Sequence, residues 1–177
     1  IFHGKKYSPL VPVLFGRGCR YACDFCSIHS VYGNTLRQRS VDEIAEEVAK
    51  IDGRFIFFVD DNLFVNHRET GRLLAAMTPL RKRWVGQVSV DTAWDDGLLE
   101  SMRKSGCAAV FVGFESLEEK NLRQMNKKGN LKWRDYPEAV KRFRDRGIMV
   151  VGGFVFGYDH DTPDTIRRAV EFSLEQR

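Results

Sequence analysis

The sequence lacks an apolar run of the roughly 20 residues that a membrane-spanning helix requires. It also lacks a recognisable signal peptide, and it has only four cysteines among 177 residues. Small secreted domains that depend on disulfides carry far more cysteine for their length. These absences argue against a membrane span and a disulfide scaffold, and we expect a cytoplasmic protein with reduced thiols.

An excess of charge of one sign is also lacking, because 28 Lys and Arg face 24 Asp and Glu and leave a net charge of +4. The basic clusters at 81–83 and 142–146 fall in the last turns of predicted helices, where cations complement the helix dipole. An excess this small, placed at helix ends, does not predict a nucleic-acid partner.

Composition indicates a globular chain with one core, since 43% of the residues are hydrophobic and 29% are charged. The sequence begins at Ile1 without an initiator methionine and stops at Arg177 within an amphipathic pattern. We therefore expect residues 1–177 to be a single core domain, truncated at both ends relative to a longer protein.

The most informative feature that is present is a group of three cysteines. Cys19, Cys23 and Cys26 form a CxxxCxxC spacing shortly after the apolar segment 11–15. Structural zinc normally takes four protein ligands, and ordinary iron–sulfur electron carriers use four cysteines per cluster. A group of three therefore predicts a metal centre with one open coordination position, where chemistry can take place.

A second interpretation of these cysteines stays open. His29 follows Cys26 at a spacing that would close a zinc site of the Cys₃His type. The alternative function is then a non-catalytic zinc or iron–sulfur module that binds a partner protein. The fourth cysteine, Cys107, lies in an apolar stretch and is expected to be a small buried side chain.

Apolar segments of strand length alternate with amphipathic segments of helix length, which is typical of βα units around a parallel sheet. Capping signals at Ser40 and Asn66 predict helix starts, and Gly106 and Gly147 predict helix ends. Each apolar segment is nearly continuous, as expected for strands covered on both faces. The five predicted strands are 11–15, 55–59, 85–90, 108–114 and 148–156.

The polar residues favour a partial barrel over an open, doubly wound sheet. Alternation places Gln87, Ser89 and Asp91 on one face of their strand, which suits a polar lumen with helices outside. Other polar residues follow the strands at 55–59, 108–114 and 148–156. Because the carboxyl-end rim carries the site in such barrels, we expect these loops to converge with the thiolates.

The cysteine group, the aromatic Phe25 before its third member and the order of five βα units resemble the radical S-adenosylmethionine (radical SAM) superfamily over residues 10–177. The resemblance implies a partial (β/α) barrel of the radical SAM type, with five of six βα units present. Segments 58–62, 113–116 and 154–163 are similar to the group that often carries an upstream cobalamin-binding domain. Cobalamin use would depend on such a domain, outside this chain.

In this family three cysteines hold a [4Fe–4S] cluster whose fourth iron binds SAM. The resemblance therefore implies reductive cleavage of SAM to a 5′-deoxyadenosyl radical that abstracts hydrogen from a substrate, with methyl transfer as one reaction of this kind. It also implies an external electron donor such as a flavodoxin or ferredoxin. The substrate, a small molecule or lipid, is not identified by the sequence.

The resemblance assigns roles to individual rim residues. Two alternatives stay open, because 60–62 also fits a turn bonded to its own backbone and Glu115 also fits a carboxylate in the first turn of a helix. His160 is the candidate for proton transfer. Beside the ligands Cys19, Cys23 and Cys26, the residues expected to contact the cofactor are Phe25, Asp60, Asp61, Asn62, Ser89, Glu115, Gly153 and Val155.

The predicted strand 148–156 has no charge or proline that would protect an unpaired edge. If a sixth strand belongs beside it, the 177-residue chain leaves that edge open. We therefore expect this chain to associate with itself or to cover the edge with its own terminal segment, and to cleave SAM poorly even with an intact cluster.

Overall fold

The computed structural model describes residues 10–176, so the predicted domain limits at Ile1 and Arg177 lie outside the described residues. The strands are β1 (Leu10–Val13), β2 (Gly16–Arg17), β3 (Arg37–Gln38), β4 (Phe55–Phe58), β5 (Arg83–Val88), β6 (Cys107–Glu115) and β7 (Met149–Phe154). The helices are α1 (Ser27–Tyr32), α2 (Val41–Lys50), α3 (His67–Met77), α4 (Asp96–Lys104), α5 (Glu119–Gln124), α6 (Lys128–Lys132), α7 (Tyr136–Arg144) and α8 (Pro163–Glu175).

Five strands form one parallel sheet in the order β1-β4-β5-β6-β7, and β2 and β3 form a separate antiparallel pair. The α/β fold with five βα units is thereby confirmed, and it is the architecture of a partial barrel. The strand predicted at 85–90 ends earlier, at Val88, because Val90–Trp94 turns into a 3₁₀ helix. Asp91 therefore lies in this turn rather than on a strand.

The two faces of the sheet have different surroundings. Side chains on one face, such as Phe58, Trp84 and Val110, are completely buried in the core shared with the helices. On the other face Phe111 and Val151 pair in register and remain about two-fifths exposed, at 42% and 40%. The sheet thus has a packed outer face and an open inner face, but of the three polar residues predicted for the inner face only Gln87 lies on a strand.

The helix boundaries follow the capping signals. The Ser40 hydroxyl accepts from the Glu43 amide at 3.2 Å, and the Glu43 carboxylate accepts from the Ser40 amide at 3.0 Å, which confirms a capping box at α2. Asn66 caps α3 through its side chain alone. Gly106, at φ 91°, follows α4 and passes so close to the Lys82 carbonyl that a side chain there would clash.

Apolar surface is exposed at the β7 edge of the sheet. Within residues 10–176, β7 pairs with β6 alone, and Met149 is 64% exposed. Helix α8 exposes Ile166, Val170 and Leu174, of which Val170 and Leu174 line a shallow pocket with Phe154 of β7. The open edge is as predicted, and self-association stays a prediction. None of the helices in the described part of the chain is long and apolar enough to cross a membrane.

The buried indole of Trp84 provides a test of the packing. Its Nε1 donates to the Ser105 hydroxyl at 3.1 Å, and its ring meets Phe58 edge-on with centroids 5.7 Å apart. We expect Ser105→Ala to lower the free energy of unfolding by about 1–3 kcal/mol, since the indole N–H loses its acceptor. Urea denaturation measures this change.

Ser101 is the matched control. It lies in α4, the helix that Ser105 follows, and its hydroxyl donates to the Gly97 carbonyl on the exposed side of that helix. Ser101→Ala should change the free energy of unfolding by less than about 0.5 kcal/mol. Equal losses in the two variants would contradict the importance of the Trp84 bond.

Candidate active site

A cavity of about 570 Å³ opens at the carboxyl ends of the parallel strands. This is the edge where loops from neighbouring βα units meet. Most of the residues predicted to form the site line this cavity together, namely Cys19, Cys23, Phe25, Cys26, Asp61, Asn62, Ser89, Glu115 and Gly153. The structure therefore brings segments that are far apart in the sequence into one site.

The cysteine loop, residues 18–26, lies between β2 and β3, an antiparallel pair that was not predicted from the sequence. Arg39 donates its amide to the Phe15 carbonyl at 2.9 Å and so continues the pairing of these strands. Gly18 has φ 88° and donates its amide to the Asp61 carboxylate at 3.0 Å. The loop therefore leaves the sheet in a fixed direction, above the cavity.

All three cysteines of the loop are free thiols, with Cys23 buried and Cys19 and Cys26 partly exposed. Burial raises the pKa of Cys19 and of Cys23, and the positive charge of Lys127 opposes this rise. Thiolates are the metal-binding form, so bound metal would favour their deprotonation. Cys107 is buried at the other end of β6, as predicted, and burial raises its pKa strongly.

The donor set fits a cluster better than a single ion. A Cys₃His zinc site requires His29 as its fourth ligand, and His29 lies on α1 outside the lining of the cavity that the three thiols share. In a four-iron cluster each cysteine binds a different iron, so three thiols spread around one cavity suit it.

Residues 60–62, which follow β4, contact both the cysteine loop and the cavity. Asp60 does not line the cavity, because its carboxylate accepts from the Phe15 amide at 3.1 Å and the Gly16 amide at 2.6 Å. It therefore supports the start of the cysteine loop. Asn62 faces the cavity and donates to the Ser89 hydroxyl at 2.5 Å. Asn62 also accepts from the Phe64 amide at 3.1 Å, so the alternative of a turn bonded to its own backbone holds in part, beside the long-range bonds of Asp60 and Asn62.

Glu115 is the last residue of β6 and has φ 64°, a conformation that is uncommon outside glycine. Its side chain is 11% exposed and lies 2.8 Å from the Lys127 ammonium. Helix α5 begins four residues later at Glu119, so the alternative of Glu115 as a helix-start carboxylate is wrong. The ion pair places one negative and one positive group at the cavity wall.

Lys127 is a charged cavity residue that sequence reasoning missed. It lies twelve residues after Glu115, in a polar stretch with two further lysines and no periodic signal. Only the path of the chain through α5 brings it back to the end of β6.

Two other predicted residues lie outside the cavity lining. Val155 follows β7 and donates its amide to the Glu115 carbonyl at 2.8 Å, so it supports that turn through its backbone. His160 is exposed, and its amide donates to the Asn121 side chain at 3.2 Å. Neither Val155 nor His160 lies among the residues that line the cavity.

The family model described as "Radical SAM superfamily" matches residues 13–173. This chain belongs to the radical SAM superfamily. Membership implies a [4Fe–4S] cluster and SAM, and the cysteine loop of this radical SAM core has the donor set that the cluster needs. The alternative of a non-catalytic zinc module is therefore not favoured.

Curated relatives of this radical SAM core include named methyltransferases. It is 32% identical to the bacteriochlorophyllide d C-12(1)-methyltransferase of Chlorobaculum tepidum over 99% of this chain and 40% of the relative. It is 31% identical to the hopanoid C-2 methylase of Rhodopseudomonas palustris over 93% of this chain and 33% of the relative. The chain thus spans less than half the length of either relative.

Solved structures share the fold of this radical SAM core. The radical SAM methyltransferase TsrM from Kitasatospora setae, with cobalamin and a [4Fe–4S] cluster bound, superposes with a TM-score of 0.84. The match covers 94% of this chain and 34% of TsrM at 21% identity. At this identity the similarity shows the fold.

The buried carboxyl of Asp60 predicts a dependence of stability on pH. Burial raises the pKa of Asp60 to about 6 from its ordinary value of 3.8, although bonds from the Phe15 and Gly16 amides oppose the rise. The folded state therefore disfavours the charged form, and its stability falls as pH rises from about 4 to 6. A difference of this size corresponds to about 3 kcal/mol.

The measurement is urea denaturation of the iron-free protein and of Asp60→Asn between pH 4 and pH 7. The variant removes this titration and keeps one carbonyl acceptor for the backbone amides. We expect the free energy of unfolding of the wild type, relative to the variant, to decrease as pH rises. A difference that is constant or that increases with pH would refute the raised pKa.

Proposed function

We propose that this chain is the catalytic core of a radical SAM methyltransferase, in which Cys19, Cys23 and Cys26 hold the cluster and SAM occupies the adjoining cavity. The observation that carries the proposal is the meeting of three thiols with polar side chains from three other strand ends around one cavity. Such convergence at the carboxyl-end rim is how this class of fold forms an active site.

When bound, the cluster and SAM supply a 5′-deoxyadenosyl radical through reductive cleavage, and the protein positions and shields the reactants. Asp61, Asn62 and Ser89 offer acceptors and donors for the amino and ribose groups of SAM. Lys127 and Glu115 offer one charge of each sign, so Lys127 suits the SAM carboxylate and Glu115 suits a hydroxyl or ammonium donor.

The other walls of the cavity are apolar or small. Phe111 and Val151 lie side by side in the sheet, and Gly153 leaves open space into which a side chain would project without a clash. Such a wall excludes water from a reactive centre and accommodates a flat base or an apolar substrate. Phe25, which is 41% exposed at the cavity mouth, is placed to cover the adenine.

The partners belong to the same proposal. Electrons come from an external carrier such as a flavodoxin or ferredoxin, and four free thiols suit the reducing cytoplasm. The substrate is a small molecule or lipid, in keeping with the names of the relatives. Cobalamin, if used, binds to sequence outside residues 1–177, since relatives are more than twice as long as this core.

The cluster ligands are tested by removing one thiol at a time. After anaerobic reconstitution the wild type should hold about four iron atoms per chain, whereas Cys19→Ala, Cys23→Ala and Cys26→Ala should each retain little iron and form no 5′-deoxyadenosine from SAM. Cys107→Ala is the control and should keep its iron, because this residue lies at the far end of β6. Iron and zinc are counted by elemental analysis.

Full iron in Cys23→Ala, or stoichiometric zinc in a colourless wild type, would refute the cluster assignment. Reconstitution without SAM cleavage in the wild type would limit the proposal to cluster binding by this core.

SAM binding is tested at Glu115. Its replacement by alanine removes a nearly buried carboxylate and leaves Lys127 without its partner at 2.8 Å. We expect Glu115→Ala to weaken SAM binding by about 1–3 kcal/mol, since the SAM hydroxyl or ammonium group assigned to this carboxylate loses its acceptor. Isothermal titration calorimetry on the reconstituted protein measures this change.

Glu100 is the matched control, because it pairs with Arg103 on the exposed surface of α4. Glu100→Ala should leave the SAM affinity unchanged. An affinity that is also unchanged in Glu115→Ala would show that this carboxylate does not contact SAM.

A further inference from the structure

One turn, residues 125–127 between α5 and α6, contacts the cysteine loop directly. The side chain of Asn126 donates to the Ala22 carbonyl at 2.7 Å. The Met125 carbonyl accepts from the Asp24 amide at 3.3 Å. Because Ala22 and Asp24 flank Cys23, these two bonds hold the backbone on both sides of a proposed cluster ligand.

The same turn also places Lys127. Asn126 adopts φ 55°, and this left-handed residue turns the chain so that the Lys127 amide donates to the Leu122 carbonyl at 2.9 Å. The Lys127 ammonium then reaches Glu115 at 2.8 Å. Asparagine tolerates the left-handed conformation better than alanine does. The backbone of Asn126 therefore acts on the ion pair, and its side chain acts on the cysteine loop.

The loop after β7 (residues 155–162) completes the connection. The Tyr158 hydroxyl donates to the Asp24 carboxylate at 2.6 Å, and Asn121 of α5 donates to the Asp161 carboxylate at 2.7 Å. The cysteine loop, the loop after β7, and α5 with the turn that follows it are thus each bonded to the other two. A segment held from two sides is fixed more firmly than one held by a single contact.

We propose that Asn126 is a positioning residue with two separable roles: its amide holds the cysteine loop around the cluster, and its left-handed backbone presents Lys127 to the SAM cavity. The inference rests on the proposed function, in which Cys23 holds the cluster and the Glu115–Lys127 pair binds SAM. It adds that the two cofactor subsites are joined through one residue that does not line the cavity of about 570 Å³ itself.

Two substitutions separate the roles. Asn126→Gly removes the amide and keeps easy access to positive φ, whereas Asn126→Ala removes the amide and disfavours positive φ. The experiment uses the reconstituted protein under anaerobic conditions. Two quantities are measured: the rate of iron loss to a ferrous chelator in the absence of SAM, and the affinity for SAM by calorimetry on freshly loaded protein.

We expect both variants to lose iron about 3- to 10-fold faster than the wild type, because both lack the bond to the Ala22 carbonyl. SAM affinity should stay within about twofold of the wild type in Asn126→Gly and fall at least about threefold in Asn126→Ala, since less of the population presents Lys127 correctly. A general loss of stability would lower the SAM affinity of both variants. A loss in Asn126→Ala alone therefore reports on the backbone conformation.

Arg81 is the matched control, since it also has a left-handed backbone, at φ 51°, and lies before β5 at the opposite end of the sheet. Arg81→Gly should change neither quantity. Wild-type rates of iron loss in both Asn126 variants, or equal SAM affinities in the two, would overturn the inference. A wild type that cannot be loaded with iron would instead overturn the proposed function and this inference with it.

Discussion

Parallel pairing of the five main strands is the constraint on which the site depends. Parallel strands need a crossover connection between each pair, so their carboxyl ends all open onto the same edge of the sheet. The cysteine loop, the segment 60–62, Ser89 and the turn after β6 lie within one cavity for this reason. If one of these strands ran antiparallel to the others, the loop after it would lie at the opposite edge of the sheet.

Polar groups at this edge are held by contacts that span the fold. Asp60 joins the end of β4 to the start of the cysteine loop through two backbone amides, at the cost of a raised carboxyl pKa. Glu115 holds an unusual backbone conformation and meets Lys127 in a nearly buried pair. Burial of charge and backbone strain are both tolerated here, which is typical of functional sites rather than of structural rims.

The periodicity of the sequence predicted the five strands and the α/β architecture, and capping residues predicted the helix starts at Ser40 and Asn66, because these features depend on local propensity and on which face is apolar. The CxxxCxxC spacing predicted a metal centre with an open position, and the resemblance named its family. Three residues expected at the cavity do not line it. Asp60, Val155 and His160 instead form hydrogen bonds with other parts of the chain. In each case the bond joins a backbone group to a partner distant in sequence, which local patterns do not record.

By itself, therefore, the sequence determined which segments fold into strands and helices and which three thiols are proposed as the cluster ligands. Only the tertiary structure decided that Lys127 faces Glu115, that Asp60 supports a loop instead of the cavity, and that Asn126 lies against Ala22. The physical reason is range: propensity and periodicity act over a few residues, whereas these contacts join positions 12, 44 and 104 residues apart. Such contacts exist only after the sheet has brought its loops together.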